Sequence, residues 1–141
     1  MPAIYHYKHV VKKNEIDGQN HVNNLVYLKW MQSAATEHST AQGWGSDRYK
    51  EEGAGWVVKS HFIEYLTSTF ENDEIVVKTW ISEFKKASST RKYKMVRLSD
   101  NKTLATAETN WAYISLEHRV PRRTPESLRE AFVVVTEDQE P

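Results

Sequence analysis

One segment of this chain is able to form a long helix, and the rest must be arranged around it. Residues 22 to about 42 start after a polar loop and end at Gly43, a residue suited to the left-handed turn that stops a helix. About twenty residues make a rod of about 30 Å. Its apolar residues, Leu25, Val26, Leu28, Trp30, Met31, Ala34 and Ala35, cover more than one stripe, with Lys29 and Gln32 interrupting them. So wide an apolar surface predicts a helix wrapped by a sheet or buried in an oligomer.

The flanking segments read as strands. Residues 4–12 come first, with Tyr5, Tyr7 and Val11 among side chains that favour extended backbone. After a connector holding Gly43, Gly45, Gly53 and Gly55, residues 56–66 alternate: Val57, Ile63 and Tyr65 fall on one parity, Val58 and Phe62 on the other. Residues 74–84 follow a turn at Glu71-Asn72-Asp73. Residues 89–98 and 104–116 are joined by Ser99-Asp100-Asn101-Lys102, a hairpin signal. Near the C-terminus, Thr124-Pro125-Glu126 predicts a short helix capped by Thr124, with proline at its first position and Leu128, Ala131 and Phe132 behind it. One long helix among about five strands predicts an α+β fold with the helix packed on one face of an antiparallel sheet.

Composition excludes several functions. At 141 residues the chain is expected to be one domain, 1–141, with a single core. Nineteen basic residues balance nineteen acidic ones, so no bulk field steers it to nucleic acid or an anionic membrane. The absence of cysteine removes disulfides, thiol nucleophiles and thiolate metal sites. Residues 1–8 lack the apolar core of a signal peptide, and no apolar run approaches the roughly 20 residues that span a bilayer. A cytoplasmic protein with no membrane and no nucleic-acid partner is the expectation.

The chemistry concentrates just before the helix, in Glu15-Ile16-Asp17-Gly18-Gln19-Asn20-His21-Val22-Asn23-Asn24. Asp17 lies in a short polar loop, and Asn23 and Asn24 suit capping. A carboxylate is thereby held close to a helix N-terminus, whose unpaired N–H groups favour negative charge. Reactions that build charge on a carbonyl oxygen need such donors. Asp-Gly alone is a common turn, and His21 is a rival base or a residue that orients a carbonyl. Tyr27 and Trp30 are ordinary core candidates. Glu37 is about 20 Å along the helix from Asn24, too far to join Asp17 in one subunit. Asp17, His21 and His38 match no standard zinc spacing, so no metal is expected. Basic pairs at Lys85-Lys86, Arg91-Lys92 and Arg122-Arg123, with Arg119, read as solvated strand surface.

The pattern D-x3-H-V-N-N-x2-Y, from Asp17 to Tyr27, resembles the signature of hotdog-fold thioesterases of the 4-hydroxybenzoyl-CoA thioesterase superfamily. The resemblance follows element order from the first strand to Tyr113. It implies an antiparallel sheet of about five strands wrapped around one central helix. It implies an acyl-CoA thioesterase without a cofactor, coenzyme A being part of the substrate. Asp17 would be nucleophile or general base, with His21 in the catalytic set. Gly18, Asn23, Asn24 and Tyr27 would meet the substrate, and the basic residues Lys85, Lys86, Arg91, Arg122 and Arg123 become candidates for its phosphates. It also implies a homodimer or homotetramer, which Trp80, Trp111 and Tyr113 favour as aromatic area that one thin layer does not hide. Plant acyl-carrier-protein thioesterases share the His-Val-Asn-Asn run but usually carry Asn where Gln19 stands and contain two hotdog units. A non-catalytic acyl-binding protein on the same fold is the other alternative; the hotdog hydratases use different Asp and His spacings.

Overall fold

The computed structural model describes residues 3–141. Strand β1 (Tyr5–Val10) leads through a 3-10 turn and a polar loop into helix α1 (Asn24–Ala41). A second helix, α2 (Ser46–Glu52), precedes the long strands β2 (Ala54–Tyr65), β3 (Glu74–Phe84), β4 (Ser88–Arg97) and β5 (Thr103–Ser115), and a short helix α3 (Glu126–Glu130) follows. The sheet order is β1-β3-β4-β5-β2, and every neighbouring pair is antiparallel. Register shifts at Val58/Ser60, Ile81/Glu83 and Met95/Val96 insert bulges, which sharpen strand twist. This is the predicted α+β arrangement of one long helix against five antiparallel strands.

The burial of α1 is narrower than its composition suggests. Tyr27, Trp30, Met31, Ala34, Ala35 and His38 are buried, an i, i+3, i+4, i+7 series that makes one stripe. Leu25, counted above as part of the wide apolar surface, is 69 % exposed. The stripe packs with Val11, Ile75, Val77, Tyr93, Met95 and Leu104 in the main core. A second cluster, around Trp44, Ile81, Tyr113, Leu128 and Phe132, fills the space beyond the C-terminal end of α1.

Three local expectations need correction. The glycine-rich connector contains α2, entered at Gly45 and left at Gly53, whose φ of +69° makes a left-handed stop. Thr124 does not cap the last helix: α3 begins at Glu126 with Pro125 at the cap, and Thr124 donates instead to the Lys86 carbonyl. Trp80 and Tyr113 are not spare aromatic area, since both are buried within the monomer. The chain after α3 covers Trp80: Val135 N–H donates to Ile81 O, and Trp80 Nε1 reaches Glu140 Oε2. Gly43 does terminate α1 from a φ of +89°.

The single stripe makes a clear forecast. Met31→Ala removes a side chain with no exposure and should destabilise by about 2–5 kcal/mol. Leu25→Ala should stay within about 0.5 kcal/mol. Urea unfolding of both variants checks this, and equal losses would contradict the one-stripe packing.

Candidate active site

The loop before α1 is built by short backbone bonds. Ile16 bridges Val22, Asp17 N–H donates to His21 O, and Asn20 N–H donates to Asp17 O. Asn20 turns the chain from a φ of +66°, a conformation asparagine tolerates better than most residues. The loop is then tied down from both sides: Val22 N–H donates to Thr69 O and Asn23 N–H to Glu15 O. These bonds set it directly on the start of α1 and beside the turn that precedes β3.

Within the loop Asp17 is half-buried. Its Oδ1 accepts Gln19 N–H at 2.8 Å, while Oδ2 lies 4.0 Å from His21 Nδ1, beyond hydrogen-bond range. One oxygen is held and the other is left toward the imidazole. The His21 ring sits between the Val22 carbonyl at 3.3 Å and Gln19 Oε1 at 3.1 Å. Because a carbonyl only accepts, Nδ1 carries the proton in the first contact.

Asn23 is the cap of α1: its side chain accepts Leu25 N–H at 2.9 Å, and its carbonyl accepts Val26 N–H. Asn24 is the first helical residue, and its N–H has no acceptor among the described residues. That amide, at the positive end of the helix, is a donor available to an oxyanion. Gly18 is exposed, and a Cβ there would meet nothing within 4 Å. Tyr27 stands behind the loop, buried, its hydroxyl bonded to Thr69 Oγ1 at 2.8 Å and its ring edge-on to Trp30 and Tyr65. It positions the loop through Thr69. Trp30 is core, as its neighbours suggested.

Glu15, which no local signal in the sequence marks, ties the loop to its surroundings. Its Oε1 accepts Lys12 N–H and pairs with His9 Nε2, both at 2.8 Å, and its Oε2 accepts Trp30 Nε1 at 2.9 Å. Burial pushes the Glu15 carboxyl up, but the bonds from Lys12, His9 and Trp30 outweigh it and hold the group below the usual range.

The basic residues lie elsewhere. Asp17 sits by the turn that enters β3 at Glu74, whereas Lys85 follows its last residue, Phe84; eleven residues of strand put about 33 Å between those ends. Lys85 and Lys86 are exposed, and Thr124 N–H donates to Lys86 O, so Arg123 is brought beside them. Arg122 bonds the Glu52 carbonyl and reaches its carboxylate at 3.9 Å. Arg91 is not solvated surface. It points inward with Ser89, Tyr93 and Met95 and is buried beside His38. The alternation of Arg91, Tyr93 and Met95 with Lys92 and Lys94 carried that information.

Comparison with known proteins places the chain. Residues 11–132 match the model of the thioesterase-like superfamily. The chain belongs to that superfamily. No curated protein matches it. The 1,4-dihydroxy-2-naphthoyl-CoA thioesterase of Synechocystis superposes with a TM-score of 0.84 at 17 % identity, covering 91 % of this chain and 94 % of that one. A Staphylococcus aureus protein solved in complex with CoA gives 0.85 at 16 %, over 91 % and 80 %. YbaW, a probable thioesterase of Escherichia coli, gives 0.81 at 17 %, over 90 % and 95 %. These neighbours share the hotdog fold with this thioesterase-like chain.

The Glu15 network sets a pH dependence. A depressed carboxylate stabilises the fold fully above its unfolded value near 4.5, and that contribution is lost as pH falls through the lower folded value. Thermal melts should therefore show an acid-side loss beginning below pH 4.5. In Glu15→Gln the melting temperature should be lower at pH 7 and its acid-side slope reduced; an unchanged slope would remove Glu15 from the account.

Proposed function

We propose that this chain hydrolyses acyl-CoA thioesters to a free acid and CoA, with no cofactor, and that Asp17 performs the chemical step. The observation that carries this reading is the Asp17 carboxylate, fixed through Oδ1 and unengaged at Oδ2, on a loop built onto a helix start with a free N–H. Superfamily membership supports thioester chemistry, and the CoA complex of the S. aureus neighbour supports the choice of thiol. Asp17 acts either as nucleophile at the carbonyl carbon or as base toward water. In both routes the C–S bond breaks, the thiolate of CoA leaves and takes a proton, and water supplies the oxygen of the product acid. The Asn24 N–H stabilises the oxyanion. His21 and Gly18 border the reacting group, and Asn23 keeps the helix start formed.

The length of β3, about 33 Å, which separates the Asp17 end of the sheet from the Lys85, Lys86 and Arg123 end, leads to a dimer. Strand β2 is an edge of the sheet, and two copies related by a two-fold axis pair such edges antiparallel. Tyr65 donates to Asn24 O, so the Tyr65 end of β2 is the Asp17 end, while the Ala54 end follows Gly53, next to Arg122. Antiparallel pairing brings the Asp17 loop of one copy toward the basic end of the other. A coenzyme A thioester then spans the two subunits, phosphates on one and thioester on the other.

Thiol release from acyl-CoA by wild type and Asp17→Asn tests the chemistry. Turnover should fall about 100-fold or more in the variant; near-wild-type rates in folded protein would overturn the assignment. Gly18→Ala should melt like wild type, so any rise in its KM would report a substrate contact. Replacing Lys85 and Lys86, or Arg122 and Arg123, with alanine should raise KM with little change in kcat in at least one case. Equal reaction of acyl-CoA and a short pantetheine thioester in all variants would refute CoA recognition. Sedimentation showing an active 16.4 kDa monomer at about micromolar concentration would refute the edge pairing.

A further inference from the structure

A cavity of about 270 Å³ opens between the C-terminal half of α1, α2 and the inner face of the sheet. Its walls are aromatic, formed largely by Trp44, Tyr49, Trp56, Phe84, Trp111 and Phe132. One charged side chain lines it, Arg91, which is 5 % exposed. Nη1 of Arg91 donates to His38 Nδ1 at 2.9 Å and to Thr79 Oγ1 at 3.1 Å. Nε and Nη2 have no acceptor among the described residues. Among the described residues, the ion pairs of Lys and Arg belong to Lys92, Arg97 and Arg122, and none reaches Arg91.

His38 offers no counter-charge. Burial first, and then the Arg91 charge, push its imidazole down to about 3, so it is a neutral acceptor. The Trp44 indole N–H, also in the cavity wall, has no acceptor either. The wall therefore has donors in excess beside a guanidinium with no anionic partner among the described residues, an arrangement suited to an anion in the cavity.

Arg97 shows what the two empty donors of Arg91 are suited to. Its Nε and Nη2 grip the two oxygens of Asp100 at 3.1 and 3.0 Å. The same two donors on Arg91 have no acceptor among the described residues, and Arg91 lines an aromatic space. The geometry points to a binding site for an aromatic carboxylate, the carboxylate gripped side-on by Arg91 Nε and Nη2 and the ring held among the aromatic walls. Size agrees: a cavity of about 150 Å³ holds benzene, so this one holds a substituted or fused ring system with its carboxylate. Flat rings also gain from edge and face contacts with aromatic walls.

The site does not rest on thioester hydrolysis. Ala35, the first α1 residue lining the cavity, is eleven residues beyond Asn24, about 16 Å along the helix. Binding is therefore measurable without turnover and in Asp17→Asn.

Isothermal titration of the full chain with 2-naphthoate, benzoate, 2-naphthamide and acetate tests the proposal. The aromatic acids should bind saturably, 2-naphthoate at least tenfold tighter than 2-naphthamide and than acetate. Asp17→Asn should bind them as wild type does. Arg91→Met, of similar length and without the charge, should lose the preference for acid over amide, with circular dichroism verifying its fold. Should that variant not fold, the acid-to-amide ratio on wild type still decides. Equal affinity for acid and amide, a preference that survives Arg91→Met, or no saturation up to about 10 mM would each overturn the site.

Discussion

The Glu15 carboxylate is the fastening on which the rest of this site depends. Its two oxygens join three elements that the chain order separates: His9 at the end of β1, Lys12 in the following turn and Trp30 one turn and a half into α1. With those three fixed, Asn23 N–H finds the Glu15 carbonyl and Val22 N–H finds Thr69, so the Asp17 loop has no freedom to swing off the helix start. A half-buried carboxylate usually loses stability by leaving water. Here hydrogen bonds from a ring, an indole and an amide restore what desolvation removes. The residue that holds the loop is thus a different carboxylate from the one proposed to act, and the two have opposite environments. Glu15 is saturated with donors, and Asp17 has one oxygen to spare.

An antiparallel sheet of long strands then separates two kinds of chemistry. The loop carrying Asp17 belongs to the end where β3 begins. The cavity, Arg91 and the basic residues belong to the end where β3 stops, together with the C-terminal end of α1. One subunit cannot place both on a single small substrate. The sheet has two edges, β1 and β2, and β2 is the longer; the pairing proposed above uses it to bring opposite ends together. The proposed dimer therefore rests on the separation of groups and the open β2 edge. It does not come from surplus aromatic area, because Trp80 and Tyr113 are already covered by the chain's own C-terminal segment.

Much of the fold was legible in the sequence because its signals are local. The strands at 74–84 and 104–116 are bounded by asparagine turns, and Asn72 and Asn101 do adopt positive φ. The start of α1 follows from a capping asparagine, and its end from Gly43. Asp17 stood out because its offset from His21, Asn23 and Tyr27 is a one-dimensional pattern. What was hidden depends on tertiary pairing. Glu15 looks like any acidic loop residue until His9 and Trp30 are brought to it. Helix α2 is short and lies among glycines, so composition there reads as loop. Thr124 lost its capping role to a carbonyl 38 residues away, on Lys86.

Arg91 shows the limit most sharply. Beside Lys92 it reads as half of a surface pair, since two adjacent cations are rarely buried. On a strand, however, neighbours face opposite ways, so Lys92 stays outside with Glu140 while Arg91 turns in with Tyr93 and Met95. Once inside, the guanidinium must be accommodated without a carboxylate. His38 and Thr79 satisfy one nitrogen, the other two have no acceptor among the described residues, and the residue borders the aromatic cavity. An apolar residue of the same length would pack against Phe132 and Tyr93 without that desolvation penalty. A chain that places arginine there keeps, beside a cavity, a guanidinium with two nitrogens that have no acceptor among the described residues, and the proposed carboxylate has the shape to complete it.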